Sequence, residues 1–438
     1  MNLTFSRLFV AVISLLILQA CSTSSKIAGT AESSFITGDT LPDAPKLSAR
    51  GEYKVGVRTL EFINKDQVDI LHSKAGKDPL YDRHLKVEIW YPAIIPQGKK
   101  QLVAYNQVMG MFNDSTRPIV PFTFEGRALR DATPDASGGV YPLVIVSHGF
   151  PGSRLILTYL TENLASKGYV VVAIDHTEST FTDRAGFQST LLNRSKDVLF
   201  VLNQLADLSK SDSKNFLAGL PDANNTGLIG YSMGGYGVLN VAGAGYSPRL
   251  DSFFSLIAGG SKAINVRSTN NAEYKASYDS RIKAVVAFAP WGMQRGIWNA
   301  EGLQGLKVPT FFVAGSQDDV SGYEDGTKAI YKGAINAKRY LLTYVNARHN
   351  VAPNPPPPET LKPGVPFSEY SFYAEPSWKE QRINNINQHF VTAFLGIYLK
   401  KMDYSKYLDL PEKSNDKTWP GFKPRTSVGL EFSQDSPK

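Results

Sequence analysis

The serine at position 232 lies in a sequence context that can make a hydroxyl group nucleophilic. Residues 230–234 read Gly-Tyr-Ser-Met-Gly and fit the pattern Gly-x-Ser-x-Gly. The apolar run 227–230 precedes the serine and a helix-compatible segment follows it, so the pattern predicts a sharp turn from strand to helix. Such a turn lifts the Ser232 hydroxyl out of the sheet, at the positive end of the next helix, where a developing anion is stabilised.

A serine hydroxyl is a weak nucleophile unless a base removes its proton, so Ser232 requires a histidine and a carboxylate farther along the chain. His349 follows the strand-like run 340–344 and is the base that we predict. His389 also lies in this part of the chain, but the helical apolar pattern around it predicts a surface or packing residue.

Two neighbouring residues are candidates for the carboxylate that would orient the histidine. Both follow the apolar run 310–314, at the end of a predicted strand. Asp318 is our first choice because it stands three residues after Gly315, and Asp319 is the alternative. Whichever of the two is not used would be solvated or would cap the following helix.

Attack on a carbonyl places negative charge on its oxygen, and two backbone N–H groups must point at that oxygen. Met233, directly after the serine, is predicted to supply one of them. The other should come from residues 147–152, Ser-His-Gly-Phe-Pro-Gly, which follow the apolar run 143–146. Phe150 is the expected donor, since Pro151 has no N–H.

The sequence gives little support for a metal site or for cysteine-based chemistry. His148 and His176 follow strand ends, but no third ligand accompanies them at a spacing typical of metal sites. The chain has a single cysteine, which excludes internal disulfides, Cys-based zinc sites and iron–sulfur clusters held by this chain alone. We therefore expect no metal and no organic cofactor.

The elements that must position these residues predict an α/β protein. Segments 57–63 and 85–91 alternate apolar with polar residues, as half-exposed antiparallel strands do. After residue 138, near-continuous apolar runs alternate with helical patterns, which is typical of a buried parallel sheet in βαβ units. These runs are 143–146, 170–174, 227–230, 284–289, 310–314 and 340–344. We predict a mostly parallel sheet of about eight strands with helices on both faces.

Composition divides the chain into a signal peptide (1–20), a lipidated cysteine with a flexible tether (21–50), a catalytic domain (51–405) and a C-terminal tail (406–438). Three inserts in the catalytic domain break the alternation and are candidates for substrate-facing loops or lids. They span about 104–140, 245–281 and 352–378. The last has seven prolines between positions 353 and 366, which predicts a stiff, polyproline-like excursion rather than a helix.

The N-terminus predicts an anchored protein. Arg7 precedes an apolar run, 8–18, which is too short for a comfortable membrane span. Residues 18–21, Leu-Gln-Ala-Cys, resemble the bacterial lipobox, in which the cysteine is acylated. Acyl chains on Cys21 would give a durable membrane anchor. We expect a lipoprotein of the bacterial cell envelope, in the outer membrane or periplasm if the host is Gram-negative.

Charge argues against a nucleic-acid partner. The chain of 438 residues has 47 Lys and Arg against 40 Asp and Glu. The formal net charge of +7 is mild and dispersed, whereas nucleic-acid binding requires a concentrated basic patch.

The motifs together resemble the α/β-hydrolase superfamily, over about residues 52–402. Within it they look most like dienelactone-hydrolase-like enzymes and bacterial and plasma-type platelet-activating-factor acetylhydrolases. The resemblance implies that Ser232 is the nucleophile, His349 the base and Asp318 the orienting acid, with the amides of Phe150 and Met233 as the oxyanion hole. The segments that carry it are 55–60, 87–92, 147–150, 230–235, 315–318 and 348–349.

Two details refine the resemblance. Dienelactone hydrolases proper have a cysteine nucleophile where this chain has Ser232, which argues against dienelactone as a substrate. Residues 289–291, Ala-Pro-Trp, are similar to a segment of cutinase-like polyesterases whose tryptophan borders the substrate cleft. Trp291 is therefore a substrate-binding candidate, with core packing as the alternative.

The expected function is hydrolysis of small or lipid-like carboxylic esters through an acyl-enzyme. A lipase, a phospholipase or a polyesterase would use the same triad and differ only in the pocket. A peptidase is also compatible with the triad. A fourth possibility, from a different class, is a catalytically silent binding lipoprotein built on a hydrolase scaffold.

Overall fold

A mixed β-sheet forms the centre of the protein. The computed structural model describes residues 35–414 and 418–438. Within these residues the main sheet has eleven strands in the order β13-β12-β11-β10-β9-β7-β8-β2-β1-β5, with β6 beside β2, while β3 and β4 form a separate hairpin. The strands are β1 (Lys54–Val68), β2 (Leu80–Ile94), β3 (Val103–Met109), β4 (Val120–Gly126), β5 (Leu129–Arg130), β6 (Thr133–Pro134), β7 (Tyr141–Ser147), β8 (Val170–Asp175), β9 (Pro221–Tyr231), β10 (Ile282–Phe288), β11 (Thr310–Gly315), β12 (Arg339–Tyr344) and β13 (Leu430–Asp435).

Helices cover both faces of the sheet. They are α1 (Thr158–Ser166), α2 (Phe187–Leu208), α3 (Met233–Val241), α4 (Pro248–Ile257), α5 (Ala272–Ala276), α6 (Ala300–Gln304), α7 (Lys328–Gly333), α8 (Phe367–Ser371) and α9 (Glu380–Lys400). In β7, Leu143 and Ile145 pack in the core shared with α2 and α3, whereas Val144 and Val146 pack in the core shared with α1 and α9. Because both faces are buried, the strand is apolar at every position from Leu143 to Val146 rather than at alternate ones.

The predicted fold class is confirmed. Strands β8, β7, β9, β10, β11 and β12 run parallel to one another, and β2 and β13 join the two edges antiparallel. The eight predicted strand segments correspond to β1, β2 and β7 to β12. Parallel strands all end at one edge of a sheet, so the loops after β7, β9, β11 and β12 lie at the same edge.

The tether predicted from 21 to 50 is wrong for residues 36–50, which pack against the domain. The N–H of Leu41 donates to Asn385 Oδ1 at 2.8 Å, and the N–H of Leu47 donates to His389 Nδ1 at 3.1 Å. Ser48 is buried, and its carbonyl accepts from Asn163 Nδ2 at 2.8 Å. These backbone groups find partners far away in the sequence, which local composition does not reveal.

The prediction of a C-terminal tail from 406 to 438 is also wrong for the described residues 406–414 and 418–438, because they complete the sheet and its core. Strand β13 pairs antiparallel with all of β12. Trp419 and Phe432 are buried and their rings lie 6.2 Å apart between centroids. This segment therefore covers the β12 edge of the sheet and protects it from pairing with another chain.

The three inserts differ in structure. The insert at 104–140 contains most of the β3–β4 hairpin, and the one at 245–281 contains α4 and α5. The proline-rich insert at 352–378 is not an uninterrupted polyproline excursion, as predicted, because a 3₁₀ turn (Pro358–Leu361) and the short helix α8 interrupt it. A proline at the first position of a helical turn is well tolerated, which explains Pro358.

The predicted signal peptide and Cys21 lie outside the described residues. Among the residues that are described, no helix combines the length and the apolar character needed to cross a bilayer.

His389 is a packing residue of α9, and its burial predicts acid sensitivity. Its ring contacts those of Phe390, Tyr407 and Phe422. Burial, with a smaller contribution from the Lys167 charge, lowers the pKa of His389 from 6.5 to about 3. The folded state thus keeps a neutral imidazole where the unfolded state binds a proton, so stability falls as pH drops from 6.5 towards 3.

Between pH 7 and pH 5 we expect this histidine alone to remove about 2 kcal/mol of the free energy of unfolding. Urea titrations of the wild type and of His389→Asn at the two pH values measure it, because the variant should lose that part of the pH dependence. His72→Asn is the matched control, since the side chain of His72 is 76% exposed. An equal pH dependence in the wild type and His389→Asn would contradict the prediction.

Candidate active site

Ser232 occupies a strained turn between β9 and α3. Its backbone has φ +52° and ψ −113°, a conformation that non-glycine residues rarely adopt. The turn is fixed on one side by the Ser232 N–H, which donates to Phe288 O at 2.9 Å. Glycine is required at both ends of the motif, because a Cβ on Gly230 would lie 2.3 Å from Gly234 O, and one on Gly234 would lie 1.9 Å from Ser147 O.

His349 and Asp318 are brought together by the loops after β12 and β11. His349 Nδ1 lies 3.0 Å from both carboxylate oxygens of Asp318. Asp318 Oδ1 also accepts from the N–H groups of Val320 and Ser321, at 2.9 and 2.8 Å. An ionised carboxylate can only accept, so His349 Nδ1 carries the hydrogen and Nε2 has a free lone pair. This is the tautomer that a general base requires.

Asp319, the alternative acid, is engaged elsewhere. Its Oδ2 lies 2.6 Å from Arg348 Nη2, and both side chains are about half exposed. Partial burial acts to raise the pKa of Asp319, but the hydrogen bond and charge of Arg348 outweigh it, and the pKa is lower than normal. The structure therefore pairs His349 with Asp318 and leaves Asp319 in a surface ion pair.

Ser232 and His349 line the same cavity, which has a volume of about 550 Å³. Gly149, Phe150 and Pro151 form part of its wall. They belong to residues 147–152, which we call the oxyanion loop after the role predicted for it. The proline-rich insert forms another part of the wall through Phe367, Tyr370, Ser371, Phe372, Ala374 and Pro376. Of the three inserts, this is the one that supplies lining residues to the Ser232 cavity among the residues described. The site is thus a partly covered, largely apolar cleft.

Two backbone N–H groups beside Ser232 are available for a ligand. Within the described chain, the N–H groups of Phe150 and Met233 have no hydrogen-bond acceptor. In a trans peptide the C=O and N–H point in opposite directions. Ser232 O accepts from the N–H groups of Tyr236 and Trp291, at 3.0 and 3.2 Å, so the N–H of Met233 points away from those bonds. The positive end of α3 adds to the potential at this point.

The backbone N–H of Trp291 donates to Ser232 O, and Trp291 lines a neighbouring groove of about 430 Å³. Its ring lies 5.3 Å from that of Phe187, which lies 5.2 Å from that of Phe150. The groove also receives Arg249, Leu250 and Phe253 from the insert at 245–281. Trp291 is half-buried, so neither pure core packing nor full exposure describes it.

Sequence reasoning missed the buried polar network beneath the oxyanion loop. Arg194 on α2 is 1% exposed and donates to the carbonyls of His148 and Gly149. The signal was present, because Arg194 falls at the spacing i, i+3, i+7 with Leu191 and Val198 on the apolar side of a helix. A charged residue in such a stripe indicates a buried polar site, although it does not identify the partner.

His148 and His176 belong to this network. Burial, and then the Arg194 charge, lower the pKa of His176 to about 4 and that of His148 well below its usual value, so both rings are neutral at pH 7. Among the described residues, no three His, Cys, Asp or Glu side chains are grouped so that they could hold a metal ion.

Comparisons with known proteins bear on the fold and on the segment that contains Ser232. Residues 100–255 match the sequence model of a family described as "PETase: PET hydrolase-like". That match contains Phe150, Ser232 and Met233 and ends before Asp318 and His349.

The chain is similar to cutinases from Thermobifida. It is 23% identical over 214 residues to cutinase est1 of Thermobifida alba, covering 49% of this chain and 55% of the relative. It is 22% identical over 216 residues to cutinase cut1 of Thermobifida fusca, covering 49% of this chain and 51% of the relative. The chain thus spans about half the length of the curated relatives it matches.

A solved structure, a ferulic acid esterase from Streptomyces cinnamoneus, superposes with a TM-score of 0.55 at 20% sequence identity. The superposition covers 89% of this chain and 99% of the esterase. At this identity the likeness establishes the fold, which is that of the α/β-hydrolases.

Proposed function

We propose that this protein hydrolyses carboxylic esters through a covalent acyl-enzyme on Ser232. One observation carries the proposal: the His349–Asp318 pair and Ser232 meet at one cavity, beside two N–H groups without an acceptor in the described chain. The similarity to cutinases supports the same reaction class.

In the proposed mechanism, His349 Nε2 takes the proton of Ser232 Oγ as this oxygen bonds to the ester carbonyl carbon. The carbonyl π electrons move to the oxygen, and the resulting anion accepts hydrogen bonds from the amides of Phe150 and Met233. Collapse of this intermediate breaks the bond to the alcohol, which leaves with the proton from His349. Water then repeats the sequence on the acyl-enzyme and releases the acid.

A fluorophosphonate probe tests the nucleophile directly. We expect one stoichiometric adduct, located on Ser232 by peptide mass spectrometry, and loss of p-nitrophenyl ester hydrolysis in proportion to labelling. Folded protein that fails to react would overturn the proposal and favour a silent binding protein. Cleavage of an amide panel without ester cleavage would favour a peptidase.

For the substrate, we propose polyester or aromatic esters ahead of the small or lipid-like esters typical of platelet-activating-factor acetylhydrolases. The cavity wall carries the aromatic side chains of Phe150, Phe367, Tyr370 and Phe372, and the groove beside it carries Trp291. The similarity to cutinases and to a PET hydrolase-like family model supports the same choice. Rates on a soluble aliphatic ester, a phospholipid and an aromatic polyester oligomer would decide. Phospholipid as the best substrate would favour the lipase alternative.

We also propose that acylation of Cys21 anchors the protein in a bacterial cell envelope, in the outer membrane or periplasm of a Gram-negative host. The lipobox-like residues 18–21 support this. Incorporation of labelled fatty acid into the wild type but not into Cys21→Ala tests it, and equal incorporation would overturn it.

A further inference from the structure

The buried guanidinium of Arg194 is directed at the main chain of the oxyanion loop. Nη2 donates to Gly149 O at 2.8 Å and to Ser179 Oγ at 2.5 Å, and Nη1 donates to His148 O. Within the described chain, no carboxylate lies within ion-pair distance of Arg194. Its hydrogen bonds therefore go to neutral oxygens, which is unusual for an arginine that is buried.

Hydrogen bonds among the neighbouring side chains determine which ring nitrogen of His176 carries the hydrogen. Asp197 accepts from both Nε and Nη2 of Arg83, at 2.8 and 2.9 Å, and from His176 Nδ1 at 2.8 Å. Because neutral His176 donates through Nδ1, its Nε2 accepts from Ser147 Oγ at 2.8 Å. The hydroxyl of Ser147, at the end of β7, thus donates to His176 Nε2, and Arg194 Nη1 lies 3.4 Å from the same oxygen.

His148 completes the arrangement. Its Nε2 accepts from the N–H of His176 at 3.2 Å, so the hydrogen of the neutral ring is on Nδ1, which donates to Gly149 O at 2.7 Å. The Gly149 carbonyl therefore receives two hydrogen bonds, one of them from the charged guanidinium of Arg194. Glycine is needed at 152, because a Cβ there would lie 2.5 Å from His148 Nδ1.

This carbonyl belongs to the same peptide unit as the N–H of Phe150. Since C=O and N–H point in opposite directions across a trans peptide, fixing Gly149 O towards Arg194 turns the Phe150 N–H to the other side. Hydrogen bonds to a carbonyl also polarise its amide and strengthen the N–H as a donor. Arg194 can therefore both orient and strengthen one of the two donors next to Ser232.

The charge of Arg194 persists at neutral pH. Burial lowers its pKa to about 9, against the opposing influence of Asp197, so the guanidinium stays protonated at pH 7. Asp197 itself is bonded to Arg83 and His176. The positive charge of Arg194, which has no directly bonded counter-ion, thus contacts the main chain of the loop that would face a developing oxyanion.

We propose that Arg194 is a positioning residue for ester hydrolysis, which orients and polarises the Gly149–Phe150 peptide so that Phe150 N–H stabilises the oxyanion. This inference rests on the proposed function. It predicts an effect on transition-state stabilisation rather than on substrate binding.

The test compares Arg194→Met and Arg194→Lys with the wild type, using p-nitrophenyl acetate and active-site titration by the initial burst. For Arg194→Met we expect kcat per titrated site to fall roughly 10²-fold, close to the loss of one oxyanion donor, with KM changed less than about threefold. The kcat of Arg194→Lys should be about tenfold higher than that of Arg194→Met, because an ammonium keeps the charge but not the bidentate geometry of the guanidinium. Benzeneboronic acid forms a tetrahedral adduct on the serine, and its Kd should rise by about the factor by which kcat falls.

Arg267→Met is the matched control. Arg267 is also buried and bonded through Nε to Asn240 Oδ1 at 2.7 Å, but it contacts neither the oxyanion loop nor either cavity. Both methionine variants should lose thermal stability, and only the one at 194 should lose kcat per titrated site. If Arg194→Met destroys the fold, Arg194→Lys carries the test alone.

Wild-type kcat per titrated site in the Arg194 variants, or a loss confined to KM, would overturn this inference and leave the proposed function intact. A wild type with neither burst nor turnover would overturn the proposed function, and this inference with it.

Discussion

Ser232→Ala is expected to lower kcat for a short p-nitrophenyl ester by roughly 10⁶-fold, which would leave only the residual rate that binding and the oxyanion hole provide. The substitution removes the single oxygen that would bond to the acyl group. Histidine and aspartate cannot replace it, since they act only on the proton of that oxygen. The measurement is kcat from full saturation curves, with contaminating hydrolase activity subtracted through a mock purification.

The fold should survive this change. The strained backbone at 232 is held by bonds of the main chain, namely Ser232 N to Phe288 O and the bonds from Tyr236 and Trp291 to Ser232 O. Alanine keeps all of these bonds. The thermal midpoint of Ser232→Ala should therefore remain within a few degrees of the wild type. Ester turnover retained within tenfold in such a folded variant would exclude Ser232 as the nucleophile.

Local patterns were sufficient to predict which residues meet at the candidate site, because each of them follows the end of a strand. Each of Ser232, Asp318 and His349 follows an apolar run that is buried on both faces of a parallel sheet. Parallel strands bring their carboxyl ends to one edge whatever the sequence distance between them. A residue that follows such a run can thus be assigned to the site without knowledge of the tertiary contacts.

Long-range partners could not be predicted in the same way. Residues 36–50, taken for part of a flexible tether, are ordered by contacts with Asn385 and His389, more than 340 positions away, and residues 430–435, taken for part of a tail, form the strand beside β12. A polar, proline-containing segment has the same composition whether or not such partners exist. Composition therefore predicts that such a segment does not fold in isolation. It does not predict whether the rest of the domain offers partners that order it.

The polar network under the oxyanion loop illustrates a second limit. Arg194 was visible as a charge on an apolar helix face, but its acceptors are backbone carbonyls of residues 148 and 149. A carbonyl is present at every position of a chain, so sequence contains no sign of which one is used. Only the fold can assign that arginine to the loop.

The choice between the two adjacent aspartates, which the sequence left open, leads to the second large effect. Asp318→Asn is expected to lower kcat by roughly 10⁴-fold, because an amide at this position can present its NH₂ to His349 Nδ1 and favour the tautomer with hydrogen on Nε2. That tautomer cannot accept the Ser232 proton. The N–H groups of Val320 and Ser321 can still donate to the amide oxygen, so the loop should keep its conformation.

Asp319→Asn is the matched control one residue away. It breaks an exposed ion pair with Arg348, and such pairs contribute about 0–1 kcal/mol to stability. Since Asp319 lines the cavity, KM can shift, but kcat should stay within about threefold of the wild type. Both variants are compared at pH 8 with the same ester and with active sites titrated by fluorophosphonate. The reverse outcome, with Asp319→Asn inactive and Asp318→Asn active, would mean that the loop rearranges during turnover and that His349 uses the other carboxylate.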